Sequence, residues 1–324
     1  MKCIKLISIV VALFGITIIS SAQTIQDVTE ARNKGAELMA AGDLDGAITE
    51  LEKCVDLAKK VGDDAEEHQV VAESALPGLY FQKANKILTT RDYQATLKAL
   101  EATVAAAEKY NSAAIKESAE KTIPQIYLTL GNADYTAQKF EDAIKNYDQV
   151  ITRDPNNAGA YFRRGICYQN LKVEDKMEES YKLAIEKGTA TGDAATVQNA
   201  KTALSRYFYN TGITARRAQK WDDAIEALTK TVEVDNENAD AYYALASCYN
   251  NKKSWDDAIS KCEIALQLKS GGDSKALDPI YYELGTAYAG KKDNGKACEY
   301  FKKVGEGPFL AGAKYQIETA LKCN

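Results

Sequence analysis

KFEDAIKNYDQVI (139–151), KWDDAIEALTKTV (220–232) and SWDDAISKCEIAL (254–266) are three versions of one phrase. Each carries an aromatic, two acids and Ala-Ile, then apolar residues at helical spacing. Upstream of each lies a second apolar pattern of the same period: YLTLGNADY (127–135), FYNTGITA (208–215) and YYALASCY (242–249). Two amphipathic helices in fixed order, repeated along the chain, predict stacked helix pairs, since one pair alone cannot bury its apolar faces.

This phrase resembles the tetratricopeptide repeat family. Family units are 34 residues long and pair an A helix with a B helix, with small residues where the two touch. Third-unit residues in the family register are Tyr127, Leu130, Gly131, Phe140, Ala143, Tyr147 and Pro155. The sixth has Tyr242, Leu245, Ala246, Tyr249, Trp255, Ala258 and Ala265, and the seventh has Tyr281, Leu284, Gly285, Tyr288, Ala297 and Phe301. The fourth has Tyr161, Gly165, Tyr168, Tyr181 and Ala184, and the fifth has Phe208, Gly212, Trp221, Ala224 and Leu228. The first two units are fainter, with Gly35, Ala47 and Leu51 in one and Tyr80, Ala84, Tyr93 and Leu100 in the other. Thr96 and Met177 stand where the family has Ala.

The resemblance implies an all-α fold: a right-handed α-solenoid of about seven helix-turn-helix units. They start near residues 28, 77, 124, 158, 205, 239 and 278 of one array over 23–324, with a capping helix at 309–322. Three extra segments, 63–75, 111–122 and 192–204, open on cap or turn residues and then turn helical. They are expected to lengthen helix A of the second, third and fifth units. Pro77 and Pro124 are expected to kink that helix or to start a new one.

The first 22 residues read as an export signal. Lys2 and Lys5 precede the apolar run Ile4–Ile19, and Ser20-Ser21-Ala22 supplies small residues for cleavage after Ala22. The run is short for a membrane span and no later segment is apolar enough for one. A periplasmic or secreted protein is expected. Losing the two lysines takes the formal net charge from −5 to −7, a poor balance for binding nucleic acid. Six cysteines remain after Cys3: Cys54, Cys167, Cys248, Cys262, Cys298 and Cys323. An even number in an exported chain permits disulfides, but most fall at inward helix positions, where buried thiols are expected.

No catalytic or metal motif is present. There is no GxxxxGK[ST], GxSxG, HExxH or EF-hand loop, and no CxxC pair accompanies the single histidine, His68. His68 beside Glu66 and Glu67 reads as a solvated residue on a polar helix face. Asp222-Asp223 and Asp256-Asp257 read as helix-start acids that complement the helix dipole. Neither an enzyme nor a cofactor is expected.

In the family, A-helix unit positions 2, 5, 9, 12 and 13 face the concave side. Position 5 carries Arg32, Phe81, Leu128, Phe162, Tyr209, Tyr243 and Tyr282, five of them aromatic. Position 9 includes Asn85 and Asn132, and positions 12 and 13 include Tyr135, Gln169, Asn170, Arg216, Arg217, Asn250 and Asn251. A row of rings flanked by amides suits a protein or peptide segment, because amides both donate and accept and rings add apolar contact. Rings packing between neighbouring A helices are the alternative for any single one. Arg163, Arg206, Arg216 and Arg217 form a candidate anion patch. The expected function is a non-enzymatic protein-binding scaffold; the alternative is a small-molecule or glycan binder using the same groove.

Overall fold

The computed structural model describes residues 11–270 and 274–323. The chain divides into two compact modules, Met1–Pro155 and Asn156–Asn324. Among the described residues there is no strand. The N-terminal module holds three helix pairs: α1 (Val11–Ala40) with α2 (Leu44–Val61), α3 (Glu66–Thr89) with α4 (Tyr93–Lys109), and α5 (Ala113–Thr136) with α6 (Phe140–Arg153). The C-terminal module holds four: α7 (Ala158–Leu171) with α8 (Glu174–Thr191), α9 (Ala194–Arg217) with α10 (Trp221–Val234), α11 (Ala239–Asn251) with α12 (Trp255–Leu268), and α13 (Asp278–Gly290) with α14 (Asn294–Lys302). Within each module every helix packs on the next in sequence. The A helices also touch one another, α1 with α3 and α3 with α5, then α7 with α9, α9 with α11 and α11 with α13.

One backbone feature fixes the repeat register throughout. The A-to-B turn holds a left-handed residue at the same unit position seven times: Gly42, Arg91, Gln138, Lys172, Gln219, Lys253 and Lys292, with φ between 59° and 77°. In six of the seven, the N–H after it donates back five residues, as in Lys139 to Asp134 and Lys220 to Ala215. The turn closes the carbonyls that helix A leaves unpaired. Asp43, Asp92 and Asp293 then cap the B helices by accepting the backbone N–H three residues on.

Between A and B the packing is size-matched. A Cβ added at Gly131 would stand 2.7 Å from Tyr147 Cε1, and one at Gly285 would stand 2.7 Å from Phe301 Cδ1. The corresponding pairs where helix A has alanine are Ala84 with Leu100 and Ala246 with Cys262, all fully buried. Thr96 and Met177, which replace the family's alanine, are buried too. Thr96 satisfies its hydroxyl on Asp92 O at 2.7 Å.

The extra segments lengthen α3, α5 and α9 at their N-termini to 24 residues per helix, with a separate 3-10 turn at Asp63–Ala65 before α3. α3 and α5 run through Pro77 and Pro124 and do not restart there. Each proline forfeits one helical hydrogen bond, but its ring is buried in the core. His68 also departs from expectation. It is half-buried, with Nε2 3.2 Å from Thr29 Oγ1, because the extension of α3 lies against α1.

Cys54, Cys167, Cys248 and Cys262 are buried thiols. Cys298 and Cys323 are joined in a disulfide, with Cα atoms 5.7 Å apart. After α14 the chain turns at Gly307 and forms α15 (Leu310–Tyr315), then a π-helical turn at Gln316–Ala320. Lys322, left-handed at φ 50°, ends that turn with Cys323 N donating to Ile317 O at 2.8 Å. This ending brings Cys323 back to α14, a pairing that inward-facing spacing alone does not reveal.

Residues 1–10 of the export signal expected at 1–22 lie outside the described residues, and 11–22 form the start of α1. Among the side chains described from Ile25 onward, Val28 is the first buried residue of α1. No described helix is long and apolar enough to cross a membrane.

Candidate functional site

The A helices α7, α9, α11 and α13 line up four of the predicted rings in the C-terminal module. Phe162 tilts against Tyr181 of α8, with centroids 5.8 Å apart. Tyr209 and Tyr243 are half-buried against the apolar clusters of α9–α11 and α11–α14. Burial pushes both hydroxyls above the ordinary tyrosine value. Tyr282 meets Phe301 at 5.6 Å and Phe309 of the cap at 5.3 Å. These rings therefore pack against neighbouring helices.

The amides divide into two kinds. Gln169, Asn170 and Asn251 are exposed. Gln169 Oε1 accepts the Tyr181 hydroxyl at 2.7 Å, which fixes the side chain and directs its remaining polarity outward. Asn170 and Asn251 fold back on their own helix, donating to Ile166 O and Ser247 O at 2.8 Å each. Asn250 is 6% exposed and structural. Its Nδ2 donates to Glu283 Oε2 at 2.6 Å and Glu283 O at 2.9 Å, tying α11 to α13. It is withdrawn from any groove because Glu283, the sixth residue of α13, is buried beside it.

The four arginines do not form one patch. Arg206 and Arg216 stand ten residues apart on α9, which is about 15 Å of helix rise. Arg216 lies over the Tyr243 ring at 5.8 Å and holds the Glu283 carboxyl down against the larger upward push of burial. Arg217 is exposed, and Arg163 is half-buried on α7.

Arg206 instead lines a cavity of about 510 Å³ with Gln169, Tyr207, Asn210, Thr214 and Lys220. Asp223, in the first turn of α10, contributes the single acid. Tyr207 forms part of the lining; burial, reinforced by a hydrogen bond toward Glu174, pushes its hydroxyl up to about 12. The cavity is therefore lined by two cations, one acid, two amides and the hydroxyl-bearing Tyr207, Thr211 and Thr214. Tyr207, Asn210 and Lys220 fall at the third, sixth and sixteenth residues of the fifth unit, outside the family's groove positions, and so escape a reading by those positions.

In the N-terminal module, Phe81 packs against the cluster of Ala84, Leu97 and Ile126, and Asn85 is exposed. Asn132 Oδ1 accepts the Tyr147 hydroxyl at 3.0 Å. Tyr135 is 38% exposed, tilted 5.8 Å from Phe140. Arg32 is half-buried and donates to Asn33 Oδ1 at 3.1 Å. Among the described residues no group of His, Cys, Asp and Glu is arranged to hold a metal ion.

Family models described as tetratricopeptide repeat match residues 209–273 and 278–304, and one described as TPR repeat matches 131–172. The chain is a tetratricopeptide-repeat protein. Among curated tetratricopeptide relatives, Hsp70-Hsp90 organizing protein 1 of Glycine max is 24% identical over 292 residues, covering 85% of this chain and 48% of that protein. DnaJ homolog subfamily C member 7 of Homo sapiens is 33% identical over 149 residues, covering 44% and 30%. The chain thus spans about half or less of the length of the relatives it matches. Among solved structures, MamA is 26% identical, covering 60% of this chain and 94% of its own, with a TM-score of 0.32. YrrB, described as a TPR protein with an unusual peptide-binding site, is 21% identical, covering 64% and 93%, with a TM-score of 0.32.

Proposed function

We propose that this chain is a non-enzymatic scaffold, exported from the cytoplasm, that holds a carboxylate-bearing segment of a partner protein along the A-helix face of its C-terminal module. The observation that carries the reading is the cavity between α7 and the start of α10. Arg206 and Lys220 flank it, Gln169 is held in place by Tyr181, and Asn210 adds a further amide. Two cations with amides, one of them held in place, beside a half-buried ring suit a peptide carrying an acidic side chain. Relatives whose names describe them as organisers of Hsp70 and Hsp90 support a protein as the ligand. The missing catalytic motifs support binding without chemistry. Export is supported by the pattern of residues 1–22 and by the Cys298–Cys323 bond, since disulfides persist in oxidising compartments.

An array of acidic, neutral and basic peptides, probed with the wild type and with Arg206→Glu, tests this. Acidic peptides should be retained by the wild type and lost by the variant at unchanged helix content. Equal retention by both proteins would place the site elsewhere.

A further inference from the structure

The C-terminal segment covers a predicted groove residue. Phe309 packs tilted on Tyr282, and Gly312 lies so close that an added Cβ would stand 2.9 Å from the Tyr282 hydroxyl. Ala313 is fully buried, and Ile317 and Leu321 pack on the same cluster as Phe301. The segment's root is fixed: Gly305 N and Glu306 N donate to the buried Asp278 carboxylate at 3.1 and 2.9 Å. Gly307, at φ 79°, follows at once, so the fixed part of the chain ends at a residue suited to act as a hinge. Beyond the hinge lie six α-helical and five π-helical residues, far too few to hold helical form alone. Their one covalent tie is the bond from Cys323 to Cys298 on α14, which spans 25 residues of chain.

That bond is open to reagents. Cys298 and Cys323 are both half-exposed and border a depression of about 490 Å³ with Lys302 and Lys322 on its rim. Nearby cations favour the thiolate leaving group of an exchange reaction. The other four thiols are buried in helix cores. Burial pushes Cys167 up to about 12 and Cys248 up to about 11, and it raises Cys54 and Cys262 as well. They stay protonated and out of the exchange.

We propose that Cys298–Cys323 is a redox latch, and that a dithiol reductant opens it and frees residues 308–323 from α13, uncovering Tyr282. One thiolate of the reductant attacks a sulfur of the protein bond and expels the other as thiolate. The second thiol of the reductant then closes on the mixed disulfide. Two electrons and two protons pass to the protein, which ends with two thiols, and the reductant ends as a cyclic disulfide. Release lengthens the A-helix face by one ring; only that consequence rests on the scaffold reading.

Hydrogen exchange on the full chain, air-oxidised and after dithiothreitol, tests the latch. Cys298→Ser/Cys323→Ser serves as a permanently open form. Exchange across 308–323 should rise about tenfold or more in the reduced and double-variant proteins, while α9 to α12 stay protected. Unchanged exchange at 308–323, once mass has shown the bond fully reduced, would overturn the proposal. Release without any gain in capture on the peptide array would leave the latch standing and remove Tyr282 from the binding face.

Discussion

Gly165 of α7 lies flat against the ring of Tyr181 on α8, so close that an added Cβ would stand 2.8 Å from two ring carbons. Tyr181 is fully buried, and its hydroxyl reaches across to Gln169, which lines the candidate cavity. One contact thus links a repeat-defining glycine to a residue of the site.

Gly165→Ala should therefore cost about 1–3 kcal/mol, because the fully buried ring has no space to retreat into. Tyr181→Phe should keep the packing and lose about 1 kcal/mol with the hydrogen bond to Gln169. Chemical denaturation of the two variants checks both values. A neutral Gly165→Ala would mean that the two helices are not in this contact.

The left-handed turn residues offer the opposite sign. Gln219 and Lys253 hold φ near 60° without glycine's freedom, at φ 59° and 61°. Gln219→Gly should stabilise by up to about 1 kcal/mol, since the strain it relieves slightly exceeds the entropy it adds to the unfolded chain. A thermal scan should show a higher Tm; a lower one would indicate a different turn.

Glu283 makes stability depend on pH. Burial, the largest cause, raises its pKa above 4.5, against smaller downward pulls from Asn250, Ser247 and Arg216. With the folded value raised, the stability that the protonated carboxyl contributes is complete below about 4.5 and is lost as pH climbs through the folded value. Glu283→Gln keeps an acceptor for Asn250 and cannot ionise. It should raise Tm at pH 7.5 and lose that advantage at pH 4; Tyr243, Cys248 and Cys262, which also adjoin this cluster, stay neutral over that range. Equal Tm gains at both pH values would contradict the assignment to ionisation.

Lys252–Asp222 and Lys291–Asp256 join successive repeats at equivalent positions, but all four side chains are well exposed. Lys252→Ala and Lys291→Ala should leave Tm nearly unchanged, and added salt should have little effect. A large loss of Tm with 0.5 M salt, on the order of the effect expected for buried pairs, would show that these ladders matter more than core packing.

The helix pairs were legible because they rest on size matching at fixed spacing: Gly131 with Tyr147 and Gly285 with Phe301 follow directly from the period. Even the fainter first repeats share the register, with Gly42 and Arg91 at the common turn position. The site was less legible. Asn250 has the composition of a groove amide, but whether it faces outward depends on Glu283, 33 residues on in the next repeat. The cavity of Tyr207, Asn210 and Lys220 is built from unit positions that the family's groove pattern does not include. Cys298 and Cys323 meet only because the chain turns back at Lys322.

The most direct test places a photo-crosslinking residue at Asn210, on the cavity wall, and in a second protein at the exposed Glu226 of α10. Each is irradiated with an acidic peptide retained on the array. The account predicts a crosslink from position 210, competed away by excess unlabelled peptide, and none from position 226. Crosslinking from 226 alone, or equally from both, would contradict it.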